Sequence, residues 1–126
     1  MAGGERGGEI KVSFANVQSL INKVDEVKAY LSMSNCDIFV ATETWANDDI
    51  GNELLFIDGY EIVARKDRED TDRGRGGGLI VYAKKEVDIW NSEVKTNFHQ
   101  CLTVKVKKGC EEVNIHVVYR SPNSKK

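Results

Sequence analysis

A chain of 126 residues, 40% hydrophobic and 30% charged, carries enough apolar material for one domain with one buried core. Its net charge of −2 excludes a global basic field as the means of holding nucleic acid, because phosphate neutralisation needs clustered Lys and Arg. No run approaches the ~18 consecutive apolar residues of a membrane span, so no membrane partner is expected.

The first nine residues, "MAGGERGGE", are Gly-rich and charged and lack the apolar core of a secretory signal, so residues 1–9 are expected to be a flexible leader and the protein intracellular. From Ile10 the pattern changes. Ile10, Val12 and Phe14 alternate with Lys11, Ser13 and Ala15, which predicts a strand. "NVQSLINK" turns into a helix for which Asn22 is the expected N-cap, with Asp25 and Glu26 in the first turn where the dipole favours acids. Val24, Val27 and Leu31 recur at helical spacing and give that helix an inward face. "SMSN" closes it, and "DIFVAT" follows as an apolar run that fits a strand buried on both faces.

Strand, helix, strand makes a βαβ unit whose two strands run parallel and end at the same sheet edge. Asn16 ends the first and Glu43 the second, and in open α/β sheets ligands collect beyond those carboxyl ends. The remainder reads as mostly antiparallel strands. "ANDDIGNELLFIDGY" is a short helix or loop closing at Asp58-Gly59. "EIVAR", "LIVYAK", "VDIW", "CLTVKVK" and "EEVNIHVVYR" are strands, the last two joined as a hairpin through "KKGCEE". No repeat or linker divides the chain, so residues 10–126 form one domain or part of one.

The chemistry is concentrated in few residues. Mg2+ takes one or two carboxylates, keeps several waters and completes its shell with phosphate oxygens, a need that a strand-end Glu43 beside the Asn16 amide meets. Tyr119 and Arg120 close a strand with a phenol and a guanidinium, both donors suited to phosphate. "DRGRGGG" fails the phosphate-loop and dinucleotide patterns, and its glycines 76–78 are expected to let the backbone enter a crowded strand. Cys36, Cys101 and Cys110 lack CxxC spacing and point to reduced thiols, and His99 and His116 have no partner at informative spacing.

In order, "FANVQSL", "CDIFVATETW", "DGYEIVARKDR", "GRGGGLIVYAK" and "VVYRSPNS" resemble the endonuclease/exonuclease/phosphatase superfamily. More closely they are similar to the apurinic-endonuclease-like domain that opens the polyprotein of non-LTR (LINE-type) retrotransposons. The resemblance covers about residues 10–124 and implies an α/β fold, the N-terminal half of a four-layer DNase I-like sandwich. It implies that Asn16 and Glu43 hold a catalytic Mg2+ (or Mn2+), that Tyr119 hydrogen-bonds the scissile phosphate, and that Arg120 and Asn123 lie near substrate. It implies a DNA endonuclease that nicks target DNA, a reverse transcriptase in the same polyprotein, and a nuclear place of action.

The family's second half supplies an Asp-x-Asn pair and a final Asp or Ser before His, including the base, and no residue up to Lys126 matches them. The expectation is therefore a truncated domain, inactive alone and in need of its C-terminal half. A further expectation is that an inner sheet face carrying Ile80, Tyr82, Val104 and Val117 lies open, leaving the chain marginally stable or oligomeric. Two other readings stay open. One is a phosphatase or phosphodiesterase of the same superfamily acting on lipid or small-molecule phosphates. The other is a non-catalytic RNA- or protein-binding module using the loop from Arg73 to Gly78.

Overall fold

The structure, a computed structural model, describes residues 10–67, 77–96 and 100–119, with side chains for all of these except 90–102 and 119. Strand β1 (Val12–Asn16) leads through a 3-10 turn (Leu20–Asn22) to helix α1 (Val24–Ser34) and strand β2 (Ile38–Thr42). Strands β3 (Tyr60–Lys66), β4 (Leu79–Lys84), β5 (Asp88–Thr96), β6 (Gln100–Lys108) and β7 (Glu111–Tyr119) follow. They form a four-stranded sheet in the order β1-β2-β4-β3 and a three-stranded sheet in the order β5-β6-β7. Only β1 and β2 pair in parallel, in a register that sets Asn16 beside Thr42; the other described pairs are antiparallel. The βαβ start and the antiparallel remainder are those expected from the sequence.

Helix α1 buries Val27 and Leu31, as their spacing requires, and ends at Asn35, whose left-handed φ of 56° lets its N–H reach the Leu31 carbonyl. Its start corrects the sequence reading. Asn22 is not the N-cap, because a left-handed Ser19 (φ 82°) winds residues 20–22 into the 3-10 turn. The Asn22 amide then donates to Ser19 Oγ at 2.8 Å, and Lys23 takes the cap position with no side-chain bond. Lys23 instead turns its ammonium to the carbonyls of Val17 and Gln18, at 2.8 and 3.3 Å.

The four-stranded sheet has a core on each face. On one face Val27, Leu31, Phe39, Tyr82 and Ile80 pack with Leu20, Leu55 and Ile57. On the other, Ile38, Val40, Leu79 and Val81 meet Val104, Val106, Ile115 and Val117 of the smaller sheet. The expected open inner face is therefore corrected. Ile80, Tyr82, Val104 and Val117 belong to two different cores, both closed, with exposures of 7% or less. The sheets cover each other because β6 and β7 turn alternate valines and Ile115 inward while Lys105, Asn114 and His116 face outward. Lys108, at the end of β6, reaches Asp37 just before β2. That contact sets the β6–β7 turn beside the start of β2, so β7 runs toward the end of the sandwich where β2 finishes.

Candidate active site

Beyond Thr42 the chain leaves regular β geometry and stays pinned on both sides. The Glu43 and Thr44 carbonyls accept the N–H groups of Ser19 (3.0 Å) and Leu20 (2.9 Å) from the segment after β1. On the opposite side the N–H groups of Glu43 and Trp45 donate to the carbonyls of Gly78 (2.9 Å) and Gly77 (3.0 Å). Within this clamp Glu43 (φ 61°) and Trp45 (φ 59°) are both left-handed. For residues other than glycine that conformation costs on the order of 1–3 kcal/mol each and persists only where surroundings over-determine it.

The glycines make the approach possible. Gly78 has φ 104°, and a β-carbon there would collide with Thr44 Oγ1 and stand 3.3 Å from the Trp45 nitrogen. Gly77, at φ 87°, turns its own N–H to the Glu43 carboxylate. The structural role expected for this glycine segment holds at both positions; Arg73 to Gly76 lie outside the described residues.

Glu43 is 4% exposed. Its Oε1 accepts the Trp45 indole N–H at 2.8 Å and the Gly77 N–H at 3.2 Å. Its Oε2 is buried and has no hydrogen bond to any described residue. Buried carboxylate oxygens are rarely left without a partner, since the ionised group loses water and gains nothing in return. Such an oxygen at the end of a parallel strand suits a hard cation, which binds carboxylate oxygen directly. The donor set is sparse: among the described residues no three His, Cys, Asp or Glu side chains group around a common point. That agrees with an ion completed by water and phosphate oxygens and disagrees with an all-protein metal cage.

Asn16 lies in register with Thr42, one residue before Glu43, and is exposed. The structure thus places the two residues at the same sheet edge, Glu43 turned inward and Asn16 toward solvent. Tyr119 closes β7, which runs to that end of the sandwich; its side chain lies outside the described residues, as do Arg120 and Asn123.

Two contributors escaped the sequence reading. Trp45 was visible in "ETW", yet nothing in an apolar strand shows that its indole folds back two residues. Arg65, on β3, secures the loop that leaves Trp45. Its Nη2 donates to the carbonyls of Ile50 (2.6 Å) and Asn47 (3.1 Å), its Nη1 to Asn52 Oδ1 (2.6 Å), and its Nε to Asp67 Oδ1 (2.6 Å). A guanidinium so fully engaged is a fastener for backbone.

Half of a four-layer, DNase I-like α/β sandwich, with a carboxylate at the end of its central parallel strand, is the class that these features define. Solved structures bear the fold out. Truncated TDP2 from Caenorhabditis elegans superposes with a TM-score of 0.59 at 15% identity, over 86% of this chain and 45% of that one. TDP2 from D. rerio, complexed with a single-strand DNA product, gives 0.61 at 14% identity over 86% and 45%. The AP endonuclease LMAP from Leishmania major gives 0.61 at 17% identity over 96% and 41%. The chain thus spans less than half the length of each of these structures. No protein-family model and no curated protein sequence matches it.

Proposed function

We propose that this chain carries the metal- and phosphate-holding side of a Mg2+- or Mn2+-dependent phosphodiesterase that cuts DNA, of the kind that nicks target DNA for a non-LTR retrotransposon. The observation that carries the reading is the buried Oε2 of Glu43, unpartnered among the described residues and aimed from the carboxyl end of a parallel strand in a DNase I-like sheet. DNA is preferred over lipid or small-molecule phosphates because one structure of this fold holds a DNA product. The retrotransposon setting, with its reverse transcriptase and nuclear site of action, is supported by the ordered motifs ending in "VVYRSPNS".

In this reading Glu43 offers Oε2 to the ion while Oε1 stays tied to Trp45 and Gly77. A bound divalent cation supplies Lewis-acid stabilisation of charge that develops on phosphate. Asn16, at the neighbouring strand end, offers its amide to the ion's shell or to a phosphate oxygen. Tyr119 donates its phenol to the scissile phosphate, with Arg120 and Asn123 close to the DNA backbone. Among the described residues no group of three His, Cys, Asp or Glu side chains includes Glu43. In this reading the base that activates water belongs to the second half of the domain that the resemblance implies, and the chain by itself is expected to bind without cutting.

The test is Mn2+ binding followed by electron paramagnetic resonance, with a short DNA duplex as second ligand. The wild-type chain is expected to bind Mn2+ and to hold DNA more tightly when the ion is present. Glu43→Gln should lose both properties while keeping its fold by circular dichroism. Equal Mn2+ binding by the two proteins would remove Glu43 as the ligand and the reading with it.

A further inference from the structure

The geometry points to Trp45 as the positioning residue of this site: its indole N–H fixes which oxygen of Glu43 is presented to the ion. This rests on the reading of Glu43 as the metal ligand and adds to it the device that aims the carboxylate.

A carboxylate at a strand end rotates about its last torsion, and either oxygen can then lead. Here the two oxygens are not equivalent. Oε1 is held by two N–H donors, Trp45 Nε1 at 2.8 Å and Gly77 N at 3.2 Å, whereas Oε2 is buried with none from any described residue. The Gly77 bond is the longer and comes from backbone. The indole bond comes from a side chain just two residues on.

That short return is built, because successive side chains of a flat strand point to opposite faces and keep residues two apart side by side without contact of this kind. The left-handed conformations of Glu43 and Trp45 curl the backbone around Thr44 and bring the indole back over the carboxylate. The backbone from which the indole returns is itself fixed, since the main-chain N–H of Trp45 is tied to the Gly77 carbonyl at 3.0 Å. The loop that follows it is anchored through the carbonyls of Asn47 and Ile50 on Arg65. Indole is suited to the task. It has one donor and no acceptor, so it can bind the carboxylate and cannot compete with it for a cation. Outer-shell donors of this type orient metal ligands and tune affinity.

Two measurements test the inference. In Mn2+ titrations Trp45→Phe, which keeps an aromatic ring and deletes the donor, should weaken binding by about tenfold or more, the usual effect of losing an outer-shell partner. Trp45→His, which restores an N–H, should recover part of it. Lys108→Ala lowers stability at the far end of the sandwich and should leave affinity unchanged, which separates aim from general loosening. In a 15N correlation spectrum of the intact chain, the Trp45 indole N–H signal should move in Glu43→Gln and broaden on adding Mn2+. If Glu43→Gln abolishes binding while Trp45→Phe leaves it intact, the positioning role is wrong and the site stands. An indole signal unmoved in Glu43→Gln overturns the role equally. If the wild-type chain binds no Mn2+, the site falls and the role with it.

Discussion

Lys108 and Asp37, 71 residues apart in sequence, join the two sheets by a charged contact: the ammonium lies 3.1 and 3.2 Å from the two carboxylate oxygens. Asp37 is 2% exposed, and the one other described partner of its carboxylate is the Lys11 N–H at 2.8 Å. Removing Lys108 leaves a buried charge short of a donor. Lys108→Ala should therefore destabilise the fold by about 2 kcal/mol in urea unfolding, below the usual cost of breaking a buried pair because the lysine is partly solvated. Asp37→Asn with Lys108→Met should recover most of that loss. If it does not, the contact owes its value to something other than charge compensation.

Gly78 is irreplaceable for two separable reasons. Its φ of 104° strains any L side chain, and a methyl group there meets Thr44 Oγ1. Gly78→Ala should cost about 3 kcal/mol or more, combining backbone strain with overpacking. Adding Thr44→Ala removes the collision and leaves the strain, so the double variant should be more stable than Gly78→Ala alone. The reverse order, read from denaturation midpoints, would refute the collision.

Arg65 ties down residues 47–52 through backbone carbonyls that no other residue type can gather in the same plane. Arg65→Ala should speed hydrogen exchange at Ile50, whose N–H bonds the Asn47 carbonyl at 3.0 Å, well before the strands exchange. Arg65→Lys should resemble the alanine variant because an ammonium cannot reproduce the fork. Unchanged exchange at Ile50 in both variants would show that the loop holds itself.

Two buried phenols set an alkaline limit. Tyr60, whose hydroxyl donates to the Cys36 carbonyl at 2.6 Å, is pushed up to about 12, first by burial and then by Cys36 and the charges of Asp37 and Glu86. Burial also pushes Tyr82 up, against the pull of Arg65. The unfolded chain ionises Tyr60 near pH 10 while the folded chain keeps that proton to about 12, so its stabilisation is whole below about pH 10 and is lost as pH climbs through about 12. Tyr60→Phe should flatten that decline in denaturation curves taken from about pH 9 to about pH 12. A wild-type curve already falling at neutral pH would assign the loss to other groups.

Much of this fold is legible in residue patterns, because burial acts on periodicity. Ile38 to Ala41 form an unbroken apolar run, and β2 is indeed buried on both faces. Val104 and Val106 alternate with lysines, and β6 has one face in the core and one in water. What escaped was set by backbone that carries no period. Asn22 has the chemistry of a cap, yet the turn geometry at Ser19 diverted it. The inner face judged open closes because adjacent residues on one strand, Ile80 and Val81, serve different cores, a sharing that composition does not reveal. The strand-end positions of Asn16 and Glu43 were readable from the sequence. The aim of Glu43 was not, since it depends on two left-handed residues that no local preference favours.

The two sheets differ in how far along the chain their partners lie, and that difference orders the events of folding. In the smaller sheet the pairs nearest each connection are Thr96 with Gln100 and Lys108 with Glu111, neighbours in sequence. In the larger sheet β2 waits for β4, pairing Ile38 with Ala83 across the whole of β3. Closing that span costs more chain entropy before any contact rewards it. The meander of β5, β6 and β7 should thus gain amide protection first in pulsed hydrogen exchange, and the strand that delivers Glu43 to its place should dock late, once a finished sheet is there to receive it.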